Sequence, residues 1–228
     1  MQSEQRIKDT TASIISFANS YTCGKKGKLN EQSKPEPEST TPLKDIISSL
    51  EFLLNQIQKN ITHIQVIYTQ KLLHSLSILT IYKINGQGDQ KFDKQTFEVR
   101  RSSRYCLWNI HLWSDEYVQS ELVRIRYANI LAIAISTAGG SGEEQDLEIM
   151  NGLSHIYQFL AILHNGSNYP LFLPLPLLAH SSKEQIEEEG GNEEVEAQLI
   201  NNGNINCNIK DNAKWTKRSI FDHFIHSS

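Results

Sequence analysis

Apolar residues recur at Leu43, Ile47, Leu50, Leu54, Ile57, Ile61, Ile64 and Tyr68, at gaps that alternate between four and three, with no Gly or Pro between them. That spacing returns each position to one seam of a helix read at about 3.5 residues per turn, the pattern by which one helix packs along another. Thr40 or Thr41 can cap its start, Pro42 suits the first helical position, and Asp45 favours the positive helix end. The stripe slips near Lys71 and re-forms at Leu72, Leu76 and Leu79, as a stutter does. Residues 77–84 also alternate in the manner of a strand, so the end of this helix is open between the two readings.

The pattern changes over residues 85–113. Asn85-Gly86-Gln87-Gly88-Asp89 is a turn cluster, and Cys106, Trp108, Ile110 and Leu112 then alternate to one side, which predicts a small antiparallel hairpin or meander. Ser114 followed by Asp115 and Glu116 opens a second helix, expected over residues 115–138, with Val118, Leu122, Ile125, Ala128, Ala132 and Ile135 on one face. From Ala128 onward it is apolar on nearly every side, as a helix surrounded by others would be. A third helix is expected over 143–164, bearing Leu147, Met150, Leu153, Tyr157 and Leu160, and Asn165-Gly166 stops it. Pro170, Pro174 and Pro176 make residues 169–178 an extended apolar strap. The expected fold class is mainly α: a helical bundle with a long helix in the N-terminal half and a small antiparallel β insertion.

Composition sets the limits. The 228 residues carry 22 basic and 26 acidic side chains, a net charge of −4, and 39% are hydrophobic, enough for one core with tails. Residues 1–42 are expected to form a flexible arm, because 22–42 hold Gly, Lys, Ser, Pro and Glu around the single apolar Leu29 and bury too little to offset ordering. The helical domain then spans 43–180. An acidic, Asn-rich disordered loop is expected over 181–211, and a short helix with Trp215, Ile220, Phe221 and Phe224 over 212–228. Residues 128–182 contain no Lys or Arg, and 183–204 hold one Lys against seven Glu, so a uniformly basic, DNA-binding face is not supported. Three scattered cysteines, Cys23, Cys106 and Cys207, argue against a disulfide framework. No stretch reads as a signal peptide or membrane span, so a soluble intracellular protein is expected, nuclear or cytoplasmic.

Candidate chemistry is thin. Gly139-Gly140-Ser141-Gly142 lacks the Lys-Ser/Thr of a phosphate loop and is followed by Glu143 and Glu144. Cys106 with His111, and Cys207 with His223 and His226, lack the paired spacing of a metal site. No nucleophile motif occurs, and the glutamate runs read as solvated, so the chain is expected to be non-enzymatic and to need no cofactor. Two binding features remain. Arg100, Arg101 and Arg104 stand beside Tyr105, Trp108 and Trp113, a mixture able to pair phosphates and stack bases, which makes a nucleic-acid-associated factor the alternative reading. The sharper signal is the stripe from Leu43 to Tyr68, ~39 Å long at 1.5 Å per residue. It predicts a subunit of a multiprotein complex whose helix pairs with a partner protein's helix, provided its own domain does not enclose that stripe.

Overall fold

Long stretches free of Gly and Pro dominate the chain, and they fold as helices. The computed structural model describes residues 2–27, 42–60, 70–82, 90–136, 146–202 and 208–221; among them are ten helices and one two-stranded antiparallel sheet. The protein is mainly α, with a small hairpin, as its patterning predicts. It divides into two compact units, Met1–Ile110 and His111–Ser228, where a single domain over 43–180 was expected.

In the first unit α1 (Gln2–Gly27) packs on α2 (Leu43–Asn60) and α3 (Gln70–Thr80). The buried stripe of α1 is Ile7, Thr11, Ile14, Phe17 and Ala18; that of α2 is Ile46, Leu50, Leu53 and Ile57; that of α3 is Leu72, Leu73, Leu76 and Leu79. Each buried Leu or Ile contributes roughly 1.5–3 kcal/mol. Rings tie the ends together: the Arg6 guanidinium lies 4.4 Å over the Phe52 ring, and Phe17 and Tyr21 meet Tyr82 at 5.5 and 4.7 Å. The inner face of α4 (Gln90–Leu112) is half polar, with Thr96, Val99, Arg100, Ser103, Cys106, Leu107 and Ile110 all buried. Arg100 donates Nη1 to the Tyr82 carbonyl at 3.1 Å, and the Cys106 thiol donates to the Leu50 carbonyl at 3.6 Å.

In the second unit the apolar helix α6 (Tyr127–Ser136) packs against α7 (Asp146–Asn165), α8 (Pro176–Glu188) and α9 (Gly191–Gln198), while α10 (Ile209–Phe221) lies on α7 and α9. Before α6 runs α5 (Glu116–Arg124), capped by the Asp115 carboxylate, which accepts from the Val118 N–H at 3.1 Å. Gly191 lets α9 lie close: a Cβ there would stand 2.7 Å from Ile186 Cγ2 and 2.9 Å from Ala132 Cβ. Between α7 and α8, strands β1 (Ser167–Asn168) and β2 (Leu171–Phe172) pair antiparallel, Ser167 opposite Phe172 and Asn168 opposite Leu171.

Several expectations give way. The arm over 1–42 is helical through Gly27, because Ile7, Thr11, Ile14 and Phe17 recur at helical spacing; residues 28–41 lie outside the described residues. The β insertion expected over 85–113 is helix from Gln90 onward, since Thr96, Val99, Arg100, Ser103, Cys106, Leu107 and Ile110 mark a helical stripe that short-range alternation conceals; the turn cluster 85–89 lies outside the described residues. Residues 77–80 are the end of α3, not a strand. The helix expected over 115–138 breaks at Arg126, whose φ of 61° is left-handed. The acidic loop over 181–211 is helical through much of α8 and α9, because Ser182, Gln185, Ile186, Val195 and Gln198 are buried beneath the exposed glutamates. The strap over 169–178 is extended only as far as Leu175, and Pro176 opens α8.

Candidate interaction surface

Residues 165–179 contain no charged side chain. Their backbone is folded tightly onto the end of α7. Gly166 adopts a φ of 73°, and a Cβ on it would fall within 2.4 Å of the Phe172 carbonyl oxygen, so only glycine permits this return. The Gly166 N–H donates to the Ile162 carbonyl at 2.9 Å, and the Leu175 N–H donates to the Leu163 carbonyl at 2.7 Å. Between those two anchors side chains alternate as a strand requires. Phe172 is buried, whereas Leu171 and Leu173 are 82% and 79% exposed. Leu177, in the first turn of α8, is 83% exposed.

Aromatic residues extend this surface. Tyr169 is exposed and meets the exposed Trp113 edge to face, ring centroids 6.4 Å apart. Tyr117, four residues on and in the first turn of α5, is exposed too. A single exposed leucine is ordinary, but three with two aromatics on one hairpin and its neighbour are not. Left in water, the three leucines forgo roughly 5–9 kcal/mol of burial that a covering surface would recover. The exposed face of α8 continues from Leu177 through His180 and Glu184 to Glu187, at steps of three, four and three. His180 Nε2 lies 3.4 Å from a Glu184 carboxylate oxygen. Apolar character thus passes into acidic character along one helix.

The residues singled out by sequence are placed differently. Of the stripe on α2, Leu50 and Ile57 are fully buried inside the first unit, and Leu43, Ile47 and Leu54 are half-buried flanks. Ile61, Ile64 and Tyr68 lie outside the described residues. The core line of α2 is Ile46, Leu50, Leu53 and Ile57, so the inward face is turned from the expected one. Of the residues that an outside helix was expected to cover, the unit encloses Leu50 and Ile57. Arg100, Arg101 and Arg104 do not form a basic face either. Arg100 is 0% exposed and Arg104 is buried, while Arg101 is half-exposed, 5.8 Å from the Tyr105 ring and 3.9 Å from Glu98. Trp108 is half-buried, its ring 6.2 Å from that of Tyr105. Two interior guanidinium groups cannot reach a phosphate backbone, so the arrangement that the nucleic-acid reading requires is absent among the described residues.

Burial also governs Cys106 and His111. The Cys106 thiol is pushed well up by desolvation, which keeps it protonated, and the His111 imidazole is pushed down to about 3 by the same cause. Cys106 belongs to the first unit and His111 to the second. Among the described residues no group of three His, Cys, Asp or Glu side chains is placed to hold a metal ion. The glycine loop over 139–142, and Cys207, His223 and His226, lie outside the described residues. No described helix is long and apolar enough to cross a membrane. No family model, curated protein or solved structure matches the chain.

Proposed function

We propose that the protein is a non-enzymatic, intracellular subunit of a multiprotein complex, and that it binds its partner through the second unit's charge-free hairpin rather than through α2. The observation that carries this reading is the high exposure of Leu171, Leu173 and Leu177 beside Trp113 and Tyr169, on a backbone anchored to α7 through Gly166 and Leu175 with Phe172 buried beneath it. A preorganised apolar surface loses little ordering entropy on binding, which is what a docking site requires. Hot spots at interfaces favour aromatic anchors such as Trp and Tyr, and both are present here.

The test is a paired affinity purification of the tagged full chain from its native cells, wild type against the triple variant Leu171→Ser, Leu173→Ser, Leu177→Ser. The three side chains touch water, so the variant's helical signal and melting temperature should match the wild type within about 0.5 kcal/mol per site. A protein recovered in near-stoichiometric amount with the wild type should be missing from the variant. Recovery of the same protein with both would overturn the reading.

A further inference from the structure

We infer that the partner element docked on this surface is a helical segment with apolar residues at one end and Lys or Arg at the other. The inference rests on the hairpin being a protein-binding site and adds the chemistry of the occupant. Beyond the neutral Asn168 and His180, the charged border of the apolar surface is acidic. Asp115 and Glu116, just past Trp113 and the buried Ser114, are exposed, and the exposed face of α8 leads from Leu177 through His180 to Glu184 and Glu187. From Leu177 to Glu187 is ten residues, ~15 Å along a helix, so an occupant lying parallel to α8 needs its positive charges about ten residues from its apolar end. Cations are scarce on this side of the molecule. Residues 127–182 contain none, Arg126 is already paired with Glu188, and Lys183 is half-buried, with its ammonium pushed down by desolvation. Over residues 111–228 as a whole, 7 Lys and Arg face 16 Asp and Glu, a net of −9.

That balance selects among occupants. A second copy of the same face would bring another acidic track and no cations of its own, placing like charges opposite each other. An anionic lipid surface would be repelled by Asp115, Glu116, Glu184 and Glu187 for the same reason. A segment carrying Lys or Arg at the right distance gains both burial and complementary charge, and its capture should be faster at low salt.

The experiment uses the full chain and two fluorescent synthetic helical peptides. One has leucines on one face of its first two turns and lysines on that face of its last two; the other replaces every lysine with glutamate. Anisotropy titrations should show the lysine peptide bound about fivefold tighter at low ionic strength, the yield of two exposed ion pairs of ~0.5 kcal/mol each, with the preference lost near 1 M salt. Glu184→Lys with Glu187→Lys should reverse the preference. The triple Leu→Ser variant should weaken both peptides by at least about tenfold. Equal affinity for the two peptides with leucine dependence intact would overturn the charge inference and leave the hairpin site standing. Binding that ignores the leucines would overturn both. Absence of peptide binding, with leucine-dependent sedimentation on phosphatidylcholine or phosphatidylserine vesicles, would overturn both in favour of a lipid surface.

Discussion

The helices α4 and α6 are both buried along one face or more, yet they are buried by opposite means. Every buried residue of α6 has an apolar or aromatic side chain: Tyr127, Ala128, Ile130, Leu131, Ala132, Ala134 and Ile135 are all inside. The inner face of α4 instead places Thr96, Arg100, Ser103 and Arg104 among Val99, Leu107 and Ile110. An apolar helix needs only neighbours of the right volume. A polar one needs each group aimed at a partner, as Arg100 is aimed at the Tyr82 carbonyl, or it loses about 1–3 kcal/mol per orphaned group. Helix α4 is therefore specified more by direction, and α6 more by apolar volume.

The harshest way to break that comparison is to place charge where the first unit has none. Leu50→Glu with Ile57→Glu should cost at least about 5 kcal/mol, comparable to the whole stability of a small domain. Circular dichroism and limited proteolysis should then report loss of the first unit's helices. Had the stripe on α2 faced an outside partner, the double variant would stay folded and merely lose that partner. A folded double variant would overturn the interior placement of Leu50 and Ile57.

Two neighbouring arginines sharpen the comparison at lower cost. Arg100→Ala removes a fully buried side chain and its hydrogen bond, and should destabilise by about 3 kcal/mol in urea or guanidinium titrations. Arg101→Ala removes a half-exposed one with a loose 3.9 Å ion pair to Glu98, and should stay within about 0.5 kcal/mol. Similar values for the two would mean that α4 is not directed by its polar groups.

How far the molecule could be read from its sequence follows the same division. The apolar character of α6 announces itself because apolar periodicity is the signal and apolar burial is the cause. The stripes expected on α7 and the terminal helix are turned from the buried ones: Leu147, Tyr157, Trp215 and Phe221 are exposed, while Ile149, Ile156, Phe159, Leu163, Ile209 and Ala213 are inside. The stripe of α4 is largely invisible, since Arg100 and Ser103 occupy core positions that a hydrophobic pattern scores as surface. In α8 and α9 the conspicuous glutamates mask the few inward residues, Ile186 and Val195 among them. On α2 the doublets Ile46-Ile47 and Leu53-Leu54 offer two helical lines one residue apart, and apolarity alone does not choose between them. The candidate surface was half legible. Three prolines marked residues 169–178 as extended and apolar, but only the inward turn of Phe172 and the Leu175 anchor show which side faces water.

The second unit buries a titratable side chain, His111, that supplies a pH test. His111 is fully buried with its ring 5.5 Å from Phe159, edge to face, and 6.4 Å from Tyr127; neither ring nitrogen has a hydrogen-bond partner. Burial holds its imidazole near 3, below the ordinary 6.5, so between those values the unfolded chain takes up a proton that the folded chain refuses. Stability attributable to this group is intact above about pH 6.5 and is lost as the pH falls toward 3, at up to ~1.4 kcal/mol per pH unit. Moving from pH 7 to pH 4.5 should thus remove about 2–3 kcal/mol through His111 alone. His111→Phe keeps the edge-to-face contact with Phe159 and leaves the His111 carbonyl that accepts from Gln119 in place, but has nothing to protonate. Carboxylates titrate equally in both proteins, and any cost of fitting the larger ring is the same at each pH, so both cancel from the difference in slope. Melting temperatures at pH 7 and 4.5 should therefore fall less in the variant than in the wild type. Parallel slopes would mean that acid reaches the unfolded chain through groups other than His111, and that burying this imidazole carries no pH-dependent cost.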